Sequence, residues 1–164
     1  MNKWRAELKY CIRDEIENTI KQENIDRKRF YEVSKFEYEK IRRRFYYSFF
    51  EHEKYDTEVD LNNLDYLWLY FHKRLKKSPS RYDVDEYIDN IPDLINNDEK
   101  NKKFYLILQY GWVYEGYIPE IISVLNESAT FYDFYIVSKK FNYLIVYSVD
   151  GDCIYTVKDE NHSE

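Results

Sequence analysis

The last third of the chain constrains the fold more than any other stretch. From Lys103 it reads KFYLILQYGWVYEGYIPEIISVLNES, and then DFYIVSKKFNYLIVYSVDGDCIYTV to Val157. Phe104 to Leu108 has strand length and strand composition, and Gly111 predicts a bend or bulge before Trp112-Val113-Tyr114 resume it. Ile118, Ile121, Ile122 and Leu125 recur at helical spacing over about 118–128, a helix opened by Gly116 and Pro119. Tyr135 to Ser138 and Tyr143 to Ser148 then pair antiparallel across a Lys139–Asn142 turn. Asp150-Gly151 signals a hairpin or bulge, and Cys153 to Val157 is the last strand. Strand and helix periods thus share one β-α-β-β unit over 103–157, which assigns an α+β fold. The unit carries no catalytic motif, metal quartet or phosphate loop, and neither does the rest of the chain.

Residues 1–100 read as mainly helical. Trp4, Leu8, Ile12, Ile16 and Ile20 recur every four residues with Cys11 alongside, a stripe that predicts a helix over about 2–23. Ser34-Lys-Phe-Glu37 has the spacing of a capping box, and Tyr38, Ile41, Phe45 and Phe49 continue that helix toward Glu51. Residues 54–63 are polar and read as a loop. Leu64, Leu67, Trp68, Phe71 and Leu75 fit a short amphipathic helix, although LWLYF also suits a strand, and Lys76-Lys77-Ser78-Pro79 reads as punctuation. Residues 83–95 predict a helical turn or two interrupted by Pro92, with Val84, Tyr87, Ile88 and Ile91 inward. The expected architecture is one α+β domain over 1–158. Its N-terminal helices pack on a three- or four-stranded, mainly antiparallel sheet with one crossing helix, and 159–164 form a frayed tail. Alternation puts Tyr135 and Val137 on one sheet face and Phe134, Ile136 and Ser138 on the other. A sheet covered on one side would offer tyrosine to solvent or a partner; a sandwiched sheet would bury it.

Composition narrows the function classes. Net charge is −6 with a sequence pI of about 5.2, which disfavours a general nucleic-acid or membrane-surface binder and permits a basic protein partner. The 19 Tyr, 10 Phe and 3 Trp exceed what a core of this size can bury completely, so some tyrosine is expected at the surface. Cys11 and Cys153 form no CxxC and suggest neither a disulfide framework nor a zinc site; both are expected to be reduced and buried. The N-terminal residues are charged throughout and lack an apolar core, and no apolar run approaches membrane-span length, so a cytoplasmic protein is expected.

WVYEG, the Ile-rich helix and DFYIVSKKFNYLIV resemble the C-terminal half of a family of small bacterial proteins of uncharacterised function. IRRRFYYSFF (41–50) and LWLYF (67–71) resemble the helical half of the same family. The likeness covers most of the chain and is loose outside 110–147, and YSVDGDCIY departs from the more polar, Asn- and His-containing ending of that family. Small acidic α+β relatives of this kind often act as immunity proteins beside polymorphic or contact-dependent toxins. The resemblance therefore implies a toxin-neutralising role, and it brings no catalytic residues.

The residues themselves point to binding. Asp83, Asp85, Glu86, Asp89, Asp93, Asp98 and Glu99 fall in one stretch without a Lys or Arg, a candidate surface for a basic partner such as a nuclease-type toxin domain. Reversing the charge of Asp85, Glu86 and Asp89 is expected to weaken such a complex while sparing the fold. The same stretch also reads simply as a solvated helix face. Arg42, Arg43 and Arg44 beside Phe45, Tyr46 and Tyr47 invite an RNA-associated reading, but consecutive helical positions point three ways. His52, His72 and His162 are too dispersed to imply a metal site, and Asp150 and Asp152 lack a calcium-loop series. A small enzyme with a pocket between sheet and helices is the alternative, with Glu115 or Cys153 as candidates; Glu115 reads better as a helix N-terminal charge. No cofactor is implied.

Overall fold

The structure is a computed structural model that describes residues 3–51, 71–72, 75–79, 84–128, 133–148 and 153–157. Its helices are α1 (Lys3–Gln22), α2 (Lys35–Phe49), the one-turn α3 (Val84–Tyr87) and α4 (Ile118–Glu127). Its strands are β1 (Phe30–Glu32), β2 (Lys76–Pro79), β3 (Lys103–Leu108), β4 (Val113–Tyr117), β5 (Asp133–Ser138), β6 (Tyr143–Ser148) and β7 (Cys153–Val157). Short 3-10 segments at Ile91–Leu94 and Gln109–Gly111 complete the described elements. The α+β class holds, with a larger sheet than the sequence suggested. Five strands come from the C-terminal unit, and β1 and β2 add one at each edge, in the order β1-β4-β3-β5-β6-β7-β2.

Every pairing in the sheet is antiparallel. Because β4 and β5 both pair with β3, they run parallel to each other, and parallel strands need a crossover. α4 supplies it. Gln109–Gly111 makes the β3–β4 turn, with Tyr110 at φ 62 and Gly111 at φ 80, and Leu108 N donates to Trp112 O at 2.8 Å. At the β5–β6 turn Ser138 Oγ accepts from the amides of Asn142 and Tyr143, both at 3.2 Å, and donates to Asn142 Oδ1 at 2.8 Å.

The sheet is buried on both faces. Ile12, Ile16 and Ile20 of α1, Ile121, Val124 and Leu125 of α4, and Tyr87 and Ile91 pack on the face carrying Leu106, Phe134 and Ile136. On the other face, Tyr38, Ile41, Phe45 and Phe49 of α2 cover Ile107, Tyr135, Val137 and Val146. The predicted alternation along β5 is therefore correct, and the sandwiched alternative prevails, with Tyr135 fully buried. Tyrosine reaches the surface elsewhere, at Tyr10 and Tyr47.

Several local expectations change. Lys76–Pro79 is an edge strand paired with β7, and Phe71 forms an isolated bridge with Phe50 in place of the helical turn expected there. Ser34 is the N-cap residue of α2, but its hydroxyl donates to the Glu37 carboxylate at 3.3 Å and caps no backbone amide. Cys11 lies on the exposed shoulder of α1, not in the core. Gly116 belongs to β4 and does not open α4. The polar loop at 54–63, most of the 64–75 segment, Asp150–Asp152 and the tail lie outside the described residues.

Two Tyr–Glu–Arg chains tie α1 to its neighbours. Tyr38 Oη donates to Glu32 Oε1 at 2.7 Å, and Arg13 binds the same carboxylate at 2.8 Å. Tyr114 Oη donates to Glu17 Oε1 at 3.1 Å, and Arg27 Nη2 donates to Glu17 Oε2 at 2.7 Å. Burial pushes the Glu17 carboxyl up, but Arg27 and Tyr114 outweigh it and leave its pKa below the ordinary 4.5. A carboxyl depressed in the folded state stabilises above its unfolded pKa, and that stabilisation fades as pH falls through 4.5 and the folded value. Glu17→Gln should therefore be less stable than wild type at neutral pH and lose less on acidification. Urea unfolding at neutral pH and below 4.5 measures this; parallel losses in both proteins would remove Glu17 from the acid response.

Candidate functional site

The acidic segment is held by an apolar spine. Tyr87, Ile91 and Ile95 are spaced by four and are all buried against the α1–α4 face of the sheet. Tyr87 Oη donates to the Val146 carbonyl at 3.1 Å, and its ring stacks on Tyr147 with centroids 6.1 Å apart. Asp89 and Asp93 between these anchors, Glu86 just before them and Asp98 just after are exposed. The sequence placed Tyr87 and Ile91 inward correctly; Ile88 is only partly buried, and the Val84 side chain is not described. The alternation of anchor and carboxylate keeps the negative charge outside and the segment fixed.

Not every predicted acid is equally available. Asp89 Oδ1 accepts from Asn126 Nδ2 of α4 at 2.6 Å, so it also fastens the segment to the crossing helix. Glu99 is partly buried and pairs with Lys102 at 2.7 Å. Asp85 lies in α3 with its side chain undescribed, and Asp83 lies outside the described residues. Glu86, Asp93 and Asp98 are exposed at the surface.

A cleft of about 270 Å³ opens beside the end of this segment. Asn96, Asp98 and Glu99 line one side, and Lys140, Asn142 and Tyr143 of the β5–β6 turn line the other. Ser138 also borders it, but its hydroxyl is fully occupied within the turn and is not presented as a nucleophile. The cleft forms a concavity at the end of the acidic segment.

The other sequence candidates separate. Arg42 lies against Tyr38, 5.6 Å from the ring centroid, and pairs with Glu39 at 3.5 Å. Arg44 stacks on Phe141 at 4.6 Å, while Arg43 faces solvent. The three arginines form no common patch. Glu115 lies mid-strand and binds Lys139 at 2.7 Å; the first-turn charge of α4 is Glu120, which pairs with Arg29. Burial disfavours the Lys139 charge, but Glu115 and Tyr105 outweigh it and raise its pKa. His72 is described, His52 and His162 are not, and among the described residues no three His, Cys, Asp or Glu side chains gather as metal ligands. Nor, among the described residues, is any helix long and apolar enough to cross a membrane.

A family model described as Family of unknown function (DUF6756) matches residues 8–163. The chain belongs to DUF6756. The match takes in α1 from Leu8 onward, the acidic segment, the cleft beside it and all seven described strands. No curated protein matches this DUF6756 chain, and no solved structure does.

Sequence reasoning found the acidic stretch because its charges are contiguous. It missed the Glu115–Lys139 pair, which joins β4 to the turn that follows β5, with β3 between the two strands. Glu115 and Tyr105 are cross-strand partners, and the Lys139 ammonium sits 4.1 Å from the Tyr105 ring centroid. Only the register of β3 against β4 and β5 would have revealed this.

Proposed function

We propose that this DUF6756 chain is a non-catalytic protein-binding module, an immunity protein that neutralises a basic toxin domain in the bacterial cytoplasm. The observation that carries the reading is the rigid acidic edge at 86–98, where Tyr87, Ile91 and Ile95 are anchored in the core and Glu86, Asp93 and Asp98 are turned outward. Carboxylates on an anchored segment attract a basic partner over a distance and set its register with little backbone ordering on binding. The adjoining cleft, with Asp98 and Glu99 on one wall and Lys140 on the other, offers a concavity of mixed charge beside this segment. The resemblance of the chain to small acidic immunity proteins supports the same role.

Co-expression with the products of neighbouring reading frames tests the role. Protection of growth against one of them, with a stoichiometric complex, is the expected result. Glu86→Lys/Asp93→Lys/Asp98→Lys should weaken that complex by about two orders of magnitude or more. Protection that persists unchanged in the folded triple variant would contradict the acidic edge as the binding surface.

A further inference from the structure

The surface around the α1–α2 junction has the opposite character. A second cleft, of about 280 Å³, is lined by Lys9 and Tyr10 of α1, Lys35 and Arg42 of α2, and Tyr110 and Trp112 at the β3–β4 turn. Tyr38 and Gly111 line it too, and among the described residues no carboxylate does. Three cationic side chains without an acid in the wall are notable in a chain of net charge −6.

The aromatic part is organised around Trp112. Its Nε1 donates to the Lys9 carbonyl at 2.7 Å, which fixes the indole against α1. Tyr10 and Tyr38 approach it with centroids 6.0 and 6.2 Å away, and the Lys9 ammonium lies 5.7 Å from its centroid. Tyr10 remains 58% exposed, so its ring is free to cover a ligand. Tyr110 is held at φ 62, a conformation few bulky residues adopt, and with Gly111 at φ 80 it curls the turn around the rim. Lys35 is the first residue of α2, so the positive end of that helix borders the same cleft.

Cations beside flat rings match a ligand that carries both an anionic group and a planar ring. We propose that this cleft binds a mononucleotide-sized ligand. Its phosphate is met by Lys35 and Arg42, with Lys9 beside it, and its base packs on Tyr10 at the Trp112 edge. Arginine suits phosphate through its planar donor fork, and the rings accept any base by stacking. The volume is at the lower end for small-molecule sites, which fits one nucleotide and not a larger dinucleotide cofactor. The site is independent of the acidic edge and stands whether or not the protein neutralises a toxin.

Calorimetric titration of the full chain at low salt tests this, with adenosine and uridine 5′-monophosphates as probes and with adenosine and inorganic phosphate as their parts. Saturable one-to-one binding of a monophosphate is expected, tighter than either part by about tenfold or more. Lys35→Gln/Arg42→Gln and, separately, Tyr10→Ala should each weaken it by about tenfold, whereas Lys100→Gln, outside the cleft, should not. Tyr10 is surface-exposed, so its variant keeps the test valid if the charge variant unfolds. No saturable binding at millimolar monophosphate, or binding that survives in every folded cleft variant, would overturn the proposal. Binding of a single-stranded RNA oligomer with both monophosphates silent would overturn it in favour of a polynucleotide site.

Discussion

Alanine at position 116 should destabilise the protein by about 3 kcal/mol, through overpacking against backbone. A Cβ there would lie 2.6 Å from Phe30 Cδ2, 2.7 Å from the Arg29 carbonyl oxygen and 3.1 Å from Phe30 Cα. The ring could turn aside, but the Arg29 carbonyl and the Phe30 Cα are main chain at the start of β1. Gly116 pairs with Phe30 on one side and Phe104 on the other, so β4 cannot yield without disturbing two pairings. The space above the glycine is filled by Phe30, whose ring stacks on Tyr114 at 5.2 Å with planes 7° apart. Urea unfolding should show the loss, and the melting temperature should fall by roughly 10 °C for a chain of this size. A change below about 1 kcal/mol would mean that β1 steps away freely and adds little to the sheet.

Phe45→Ala should cost about 4 kcal/mol, for a different reason. Phe45 is fully buried where α2 crosses the sheet. Its ring meets Phe49 at 5.6 Å, and Phe50 and Tyr135 at 5.4 Å each. Phe50 in turn meets Phe71 at 5.0 Å, so removing one ring opens a cavity in the middle of an aromatic cluster. Phe45→Leu, which keeps most of the volume, should cost about 1.5 kcal/mol. Equilibrium unfolding of both variants tests the ranking; equal small losses would place α2 outside the cooperative core.

How far the sequence could be read depended on where each signal lay. α2 was legible from Tyr38, Ile41, Phe45 and Phe49, because helical period and burial coincide at those four positions. β3, β4, β5, β6 and β7 were legible from short runs of β-branched and aromatic residues bounded by turn signals. The two edge strands were not. β2 is Lys-Lys-Ser-Pro, and edge strands tolerate or favour the same lysine and proline that elsewhere mark loops. β1 is Phe-Tyr-Glu, too short for a pattern, and its place is set by the absence of a side chain at Gly116. Cys11 was misplaced because a stripe read every four residues does not say how far the core wraps round the helix; the shoulder of α1 is open. The acidic edge was visible as a run of charges. The cationic cleft was not, since Lys9, Lys35 and Trp112 meet only after the β3–β4 turn is brought up to α1 and α2.

The central claim is that the anchored carboxylates form the partner surface. Its most direct test is a paired capture: wild type and Glu86→Lys/Asp93→Lys/Asp98→Lys used side by side as baits against the co-expressed neighbouring gene products, with both baits shown to unfold at the same temperature. The account predicts a basic partner retained in stoichiometric amount by wild type and lost from the charge-reversed bait. The same partner held equally by both baits would contradict it.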